Sequence, residues 1–265
     1  MKVTSLGFQT NLMFTRFSGE VIDRGSYVLA QTPSNPGYHW GNYIIFDRPP
    51  RKGDLAAWTG IFKQEFPYYR QPQHFTFAWE HSARVASDTQ EFVEAGFEED
   101  SALVLTAERL QRSLHPNSHL EVRKIVTDQQ WREVIELQNL CAEPKFLNDY
   151  YQLFKERQMA QYRKMSEAGK GFWFGAYLNG RAVGDLGIFY EGETGRYQSV
   201  GTHPDFRRQG ICGTLVYEAG SMILRDCGVR QLVMEADPDY HAARIYESVG
   251  FQRSEVNHSL SWWIR

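Results

Sequence analysis

Between Arg196 and Arg225 the chain passes without interruption from an extended run, through a basic turn containing glycine, into an amphipathic helix. The extended run, Arg196-Tyr197-Gln198-Ser199-Val200-Gly201-Thr202, must stop at His203-Pro204, because proline has no N–H to give to a central ladder. Beyond Arg207-Arg208-Gln209-Gly210, the residues Ile211, Leu215, Ala219, Met222 and Ile223 form one apolar helix face, and Asp226-Cys227-Gly228 closes the helix. A strand, turn and helix in this order leave backbone N–H groups unpaired at the helix start, where the dipole is positive. Such an end suits a phosphate group. Gly210 has no Cβ to hold a phosphate off the backbone, and Arg207 and Arg208 add charge for a pyrophosphate or a 3′-phosphate. On these grounds alone, an exposed turn with two solvated arginines accounts for the segment equally well.

The flanking sequence continues the alternation of strands and helices. Thr127 or Asp128 caps a helix over 128–140 whose apolar face is set by Trp131, Val134 and Ile135, with Gln138 interrupting the stripe. A longer helix is expected over 149–168. Strands follow at 171–178 and 182–190, joined by Asn179-Gly180, a strong short-range hairpin signal.

The first eighty residues are crowded with aromatics and read as short strands, at 20–30, 43–46 and 74–79, separated by proline and glycine turns. Leu55, Trp58, Ile61, Phe62 and Phe66 share a helical face over 54–66, with Gly53-Asp54 at its entry as the cap. The polar stretch 110–120, with His115-Pro116-Asn117-Ser118, reads as a linker, giving domains 1–118 and 119–265. Phe92-Val93-Glu94-Ala95-Gly96-Phe97, with a strand after it, echoes Tyr246-Glu247-Ser248-Val249-Gly250-Phe251 and its strand. Both runs suggest a helix closed by glycine, and the similar element order upstream favours an internal duplication. The first half shows no counterpart of the Arg207–Gly210 loop. Tyr38-His39-Trp40-Gly41-Asn42-Tyr43 lies near the expected place but lacks the charge and the helix entry. Tyr38, Trp40 and Trp58 could line an acceptor pocket, although burial in a core is the better default for at least two of them.

A net charge of −3 argues against a surface that coats nucleic acid. The three cysteines, Cys141, Cys212 and Cys227, are too few and too irregular for a disulfide framework or a zinc site. No apolar run reaches the length of a membrane span, and the first residues lack the apolar core of a signal peptide. The expectation is a cytoplasmic protein, monomeric or homodimeric, with no nucleic-acid or membrane partner and no metal.

The run from Val200 to Ile211 resembles the cofactor motif of the GNAT superfamily of N-acetyltransferases. Arg207 falls on its first basic position, Gly210 on its first glycine, and Cys212 where glycine or alanine is usual. Leu232-Val233-Met234-Glu235-Ala236 resembles the next family strand, and residues 239–251 resemble the closing family motif, with Asp239 in place of its asparagine and Ala242, Tyr246, Glu247, Gly250 and Phe251 matching. The resemblance covers about residues 120–265. It implies an α/β (α+β) fold with a mixed, mostly antiparallel central sheet flanked by helices. A smaller domain of related fold, a degenerate copy without the cofactor motif, would precede it.

The resemblance also implies acetyl-CoA as co-substrate and direct attack by a primary amine of a small molecule or peptide. The backbone of Val200 and Thr202, with Gly201 between them, would bond the pantetheine and the acetyl carbonyl. The amides of Arg208, Gln209, Gly210, Ile211, Cys212 and Gly213 would hold the pyrophosphate, with Arg207 and Asp239 completing the cofactor set. Tyr246 matches the tyrosine that serves the departing thiolate. For the base, Glu235 ranks ahead of Glu191 and Glu193, which read as solvated turn residues, and His203 reads as structural. A covalent role for Cys212 is disfavoured, since the family transfers directly. The rival reading is a binding protein for acyl-CoA that uses the fold without turnover.

Overall fold

The computed structural model describes residues 1–69, 72–80, 87–142, 149–238 and 242–264. They form two compact units, Met1–Leu103 with Glu255–Arg265, and Val104–Ser254.

The first unit begins with a helix, α1 (Leu6–Ser18), that the sequence reading did not anticipate. Ser5 caps it by accepting from the amide of Phe8, and carboxylates distant in sequence complete its start. Glu80 accepts from the amides of Thr4 and Ser5, and Glu255 accepts from the Ser5 hydroxyl and the Gly7 amide. No local pattern could announce those partners. A hairpin follows, β1 (Glu20–Asp23) and β2 (Tyr27–Gln31), then β3 (Tyr43–Phe46), α2 (Asp54–Glu65), β4 (His74–Trp79), α3 (Gln90–Glu94) and β5 (Glu98–Ala107). The stretch expected as one strand over 20–30 is therefore two, turning through Gly25.

Side chains of this sheet alternate between two covered faces. Leu29, Ile44, Phe46, Phe77 and Trp79 join Trp58 and Phe62 of α2, while Val28, Ala30, Tyr43, Ile45 and Ala78 pack against Phe8 and Leu12 of α1. Because both faces are covered, Tyr43–Phe46 reads as an unbroken apolar run. Phe46 stacks on Trp58 at 3.8 Å between ring centroids. Each large ring removes roughly 150–250 Å² from water, so aromatics dominate this core. Trp58 and Tyr38 are buried and Trp40 is partly buried against the α1 face, so the core role fits all three.

The second unit runs β6 (Glu121–Lys124), α4 (Asp128–Cys141), α5 (Asp149–Glu167), β7 (Gly171–Leu178), β8 (Arg181–Glu191), β9 (Thr194–Thr202), α6 (Ile211–Asp226), β10 (Gln231–Ala236) and α7 (Ala242–Ser248). The last strand is β11 (Gln252–Trp263). The sheet order β6-β7-β8-β9-β10 is antiparallel except where β9 meets β10. The architecture is mixed α/β and mostly antiparallel, as expected. Thr127 and Gln130 close a capping box on α4, and Asn179 and Gly180 both take positive φ in the β7–β8 turn.

The compact units do not divide at residue 118. The Gln111 amide donates to the Val249 carbonyl and the Asn117 amide to the Thr214 hydroxyl, so the supposed linker is held in the second unit. The end of β11, His258–Trp263, pairs antiparallel with β4 and returns to the first.

Candidate active site

β9 and β10 pair in parallel only through Thr194, Gly195 and Arg196 against Gln231, Leu232 and Val233. Beyond that point β9 runs on to Thr202 and β10 to Ala236 without further pairing to each other. At the fork the Arg196 guanidinium donates to the Glu235 carboxylate at 2.5 Å, tying the strands where their ladder ends. Farther along β9 the register against β8 jumps between Asp185 and Gly187, and Ser199 adopts a φ of 51°. This bulge bends β9 and turns its outer half.

The loop after β9 is built for an open helix end. Pro204–Phe206 make one 3₁₀ turn, capped by the His203 ring accepting from the Asp205 amide. The Arg181 guanidinium lies 3.1 Å from the other ring nitrogen, which leaves His203 a structural residue. Arg208 and Gly210 then both take left-handed φ, 62° and 72°, and Gly210 is the N-cap of α6. Arg207, Arg208 and Gln209 are exposed, and no acidic residue occupies the first turn of the helix. Gly213, on the first turn of α6, is also tight: a Cβ there would stand 2.7 Å from the Ser113 hydroxyl.

The structure changes the reason for Gly210. A Cβ there would stand 2.1 Å from the His115 carbonyl oxygen, so the glycine admits the 113–117 segment as well as supplying a left-handed turn. Asn117 clamps this contact by donating its side-chain amide to the Gln209 carbonyl. The segment read as a linker is thus a brace for the loop.

Of the residues expected at the site, Val200, Gly201, Thr202 and the loop 207–213 lie on one continuous segment bordering the fork. Tyr246 is buried on α7 with its ring edge-on to Phe251, and Ile245 lies beside Gly213, placing α7 against the first turn of α6. Asp239 lies outside the described residues. Burial pushes the Cys212 thiol up to about 12, against a nucleophilic role. Glu191 and Glu193 flank the hairpin turn at the opposite end of β9 from the loop, and Glu193 faces Arg230.

The sequence reading missed Asp185. This carboxylate is completely buried, opposite Gly201 in the β8–β9 register. Gln138 donates its side-chain amide to both carboxylate oxygens, at 3.0 and 2.9 Å, and also to the Ser199 carbonyl at the bulge. The Trp173 indole donates to Oδ2 at 2.9 Å. Loss of hydration outweighs these bonds and pushes Asp185 up to about 7. Lys155 on α5 is also buried, its ammonium on the Gln158 side chain, and burial holds it down to about 8. The one available signal was Gln138, the polar residue interrupting an otherwise apolar helix face.

No helix among the described residues is long and apolar enough to cross a membrane, and no His, Cys, Asp and Glu cluster among them could hold a metal ion.

Residues 169–253 match the family model described as acetyltransferase (GNAT) domain. Whole-chain likeness extends to a functionally unknown conserved protein from Staphylococcus epidermidis, at 18% identity and a TM-score of 0.77, covering 100% of this chain and 99% of that one. A GCN5-related N-acetyltransferase from Kribbella flavida aligns at 13% identity with a TM-score of 0.64, covering 98% and 96%. A tandem GNAT protein from the clavulanic acid biosynthesis pathway aligns at 13% with a TM-score of 0.56, covering 89% and 78%. At these identities the likeness is one of fold. The family match falls on the forked strands, the loop and the two helices that follow, and the chain carries a GNAT acetyltransferase domain, the module of an acyltransferase.

Proposed function

We propose that the second unit transfers the acetyl group of acetyl-CoA to a primary amine of a small molecule or peptide, by direct attack of the amine on the thioester. The observation that carries this reading is the fork between β9 and β10, opening onto a left-handed basic loop and an uncapped helix start. The donors fit a pyrophosphate: exposed Arg207 and Arg208, and the backbone amides from Arg208 to Gly213. Val200 and Thr202, freed from pairing with β10, supply backbone groups for the pantetheine and the acetyl carbonyl. Acetyl-CoA supplies the activated acyl group as a thioester. Tyr246, on the helix beside the loop, protonates the departing thiolate. The first unit is a degenerate copy without a cofactor site.

Saturating acetyl-CoA should raise the melting temperature, and at ~100 times its dissociation constant it adds about 2.7 kcal/mol of stability. Thiol release against a panel of amines then separates an enzyme from a binding protein. No thermal shift would refute the cofactor assignment, whereas a shift without acceptor-dependent release would favour the binder.

A further inference from the structure

Among the described residues, the titratable groups around β9 are mostly engaged elsewhere or out of range. Glu235 holds Arg196, His203 caps a turn, and Glu191 and Glu193 lie at the far end of the strand. Burial pushes the Cys141 thiol up to about 11. Asp185 differs from all of these in position and in its spare bonding capacity.

Asp185 and Gly201 are register partners on antiparallel strands, so their side-chain directions share one sheet face, the one covered by α4. A Cβ on Gly201 would stand 2.8 Å from Asp185 Oδ1, 3.2 Å from the Gln138 amide nitrogen and 3.5 Å from the Cys141 sulfur. The missing side chain therefore lets the carboxylate approach the backbone of the strand that borders the fork. Its two oxygens are not equivalent. Among the described residues, Oδ2 accepts from both Trp173 and Gln138, while Oδ1, the oxygen facing Gly201, accepts from Gln138 alone. A carboxylate oxygen has two lone pairs, so Oδ1 retains one directed acceptor site.

We propose that Asp185 takes the proton from the attacking amine, directly or through one water, with Gln138 and Trp173 holding the carboxylate beside the reacting strand. The inference rests on the acetyl-transfer reading above. The amine lone pair forms the C–N bond at the acetyl carbon, and its N–H proton passes to Asp185 Oδ1. The C–S bond breaks, and the thiolate takes a proton from the Tyr246 hydroxyl. Loss of the proton from Asp185 to solvent and return of a proton from solvent to the Tyr246 phenolate reset the site. A buried carboxyl that titrates near neutrality suits this task, since it is ionised at working pH yet retains proton affinity. The titratable groups facing it are Lys155 from α5, Cys141 from α4 and Tyr177 from β7.

The test compares wild type, Asp185→Asn and Lys155→Met for acetyl-CoA affinity and for kcat/KM against pH, using the best amine of the panel. Asp185→Asn should keep acetyl-CoA binding within about threefold while kcat/KM falls roughly 100-fold, and the acid limb near neutrality should disappear. Lys155→Met removes a cation that favours the carboxylate, so it should move that limb to higher pH. The melting temperature gives a parallel readout. A carboxyl raised in the folded state stabilises fully below its unfolded pKa near 3.8, and that stability is lost as pH rises through about 7. Wild type should show this loss and Asp185→Asn should not. An Asp185→Asn enzyme with the wild-type profile, or one that has lost acetyl-CoA binding, overturns the proposal. If that variant does not fold, an unmoved limb in Lys155→Met overturns it alone. A wild type that binds no acetyl-CoA or acetylates no amine defeats the underlying reading instead.

Discussion

In the first unit β3 stays paired with β4 until it ends at Phe46, whereas in the second β9 leaves β10 after Arg196 and runs on to Thr202 paired with β8 only. The surrounding elements run in the same order. Each half of the chain has a strand hairpin, a third strand, a loop to a helix, a parallel fourth strand, and a short helix turning through glycine into a last strand. The corners match in detail: the Phe97 amide donates to the Phe92 carbonyl, and the Phe251 amide donates to the Tyr246 carbonyl. Both loops end on a left-handed glycine N-cap, Gly53 and Gly210.

The counterpart of the basic loop is therefore Arg48-Pro49-Pro50-Arg51-Lys52-Gly53. It does not lie at Tyr38–Tyr43, and the expectation that the first half lacks a counterpart is corrected. Its helix start is already occupied by carboxylates. Asp54 pairs with Arg48 and accepts from the Arg51 amide, and Glu91 accepts from the Gly53 amide. Phe92 stands where the other unit has Tyr246, so no hydroxyl is available. A closed strand pair, an occupied helix end and a missing hydroxyl separate two otherwise parallel designs.

The sharpest way to break the comparison is at the paired glycines. Gly210→Val meets the His115 carbonyl and must hold a left-handed φ, so we expect a loss of about 3–5 kcal/mol in denaturant unfolding. Gly53→Ala has open space around it and should lose only about 1–2 kcal/mol. Equal losses would show that the brace from 113–117 does not constrain the loop. Next in size, Tyr246→Phe makes the second unit resemble the first at this position. Turnover should fall on the order of 100-fold with acetyl-CoA affinity largely kept, and unchanged kcat would remove Tyr246 from the reaction. Removing Arg207 and Arg208 together should weaken acetyl-CoA binding by roughly tenfold in titration calorimetry, through lost charge-assisted bonds. The smallest effect is expected from Arg51→Ala with Lys52→Ala. Stoichiometry should remain one acetyl-CoA per chain with unaltered affinity, and a drop in either would place a second site in the first unit.

Local pattern carried much of the fold. The Asn179-Gly180 hairpin, the proline stop at Pro204 and the amphipathic face of α6 depend on neighbours close in sequence, and each appears at its expected place. Gly96 and Gly250 announced matching corners for the same reason. Other features depended on distant partners. Helix α1 is completed by Glu80 and Glu255, and Asp185 meets Gln138 across a separation of 47 residues.

The sequence by itself determined the strand, basic turn and helix, because proline geometry, glycine freedom and helical spacing act over a few residues. It also located the loop that the family match now covers. Only the tertiary structure decided that β9 and β10 part after Arg196, that the 113–117 segment braces the loop, and that a buried carboxylate lies beside Gly201. Strand divergence and carboxylate desolvation are set by groups that meet only when the sheet and its covering helices assemble.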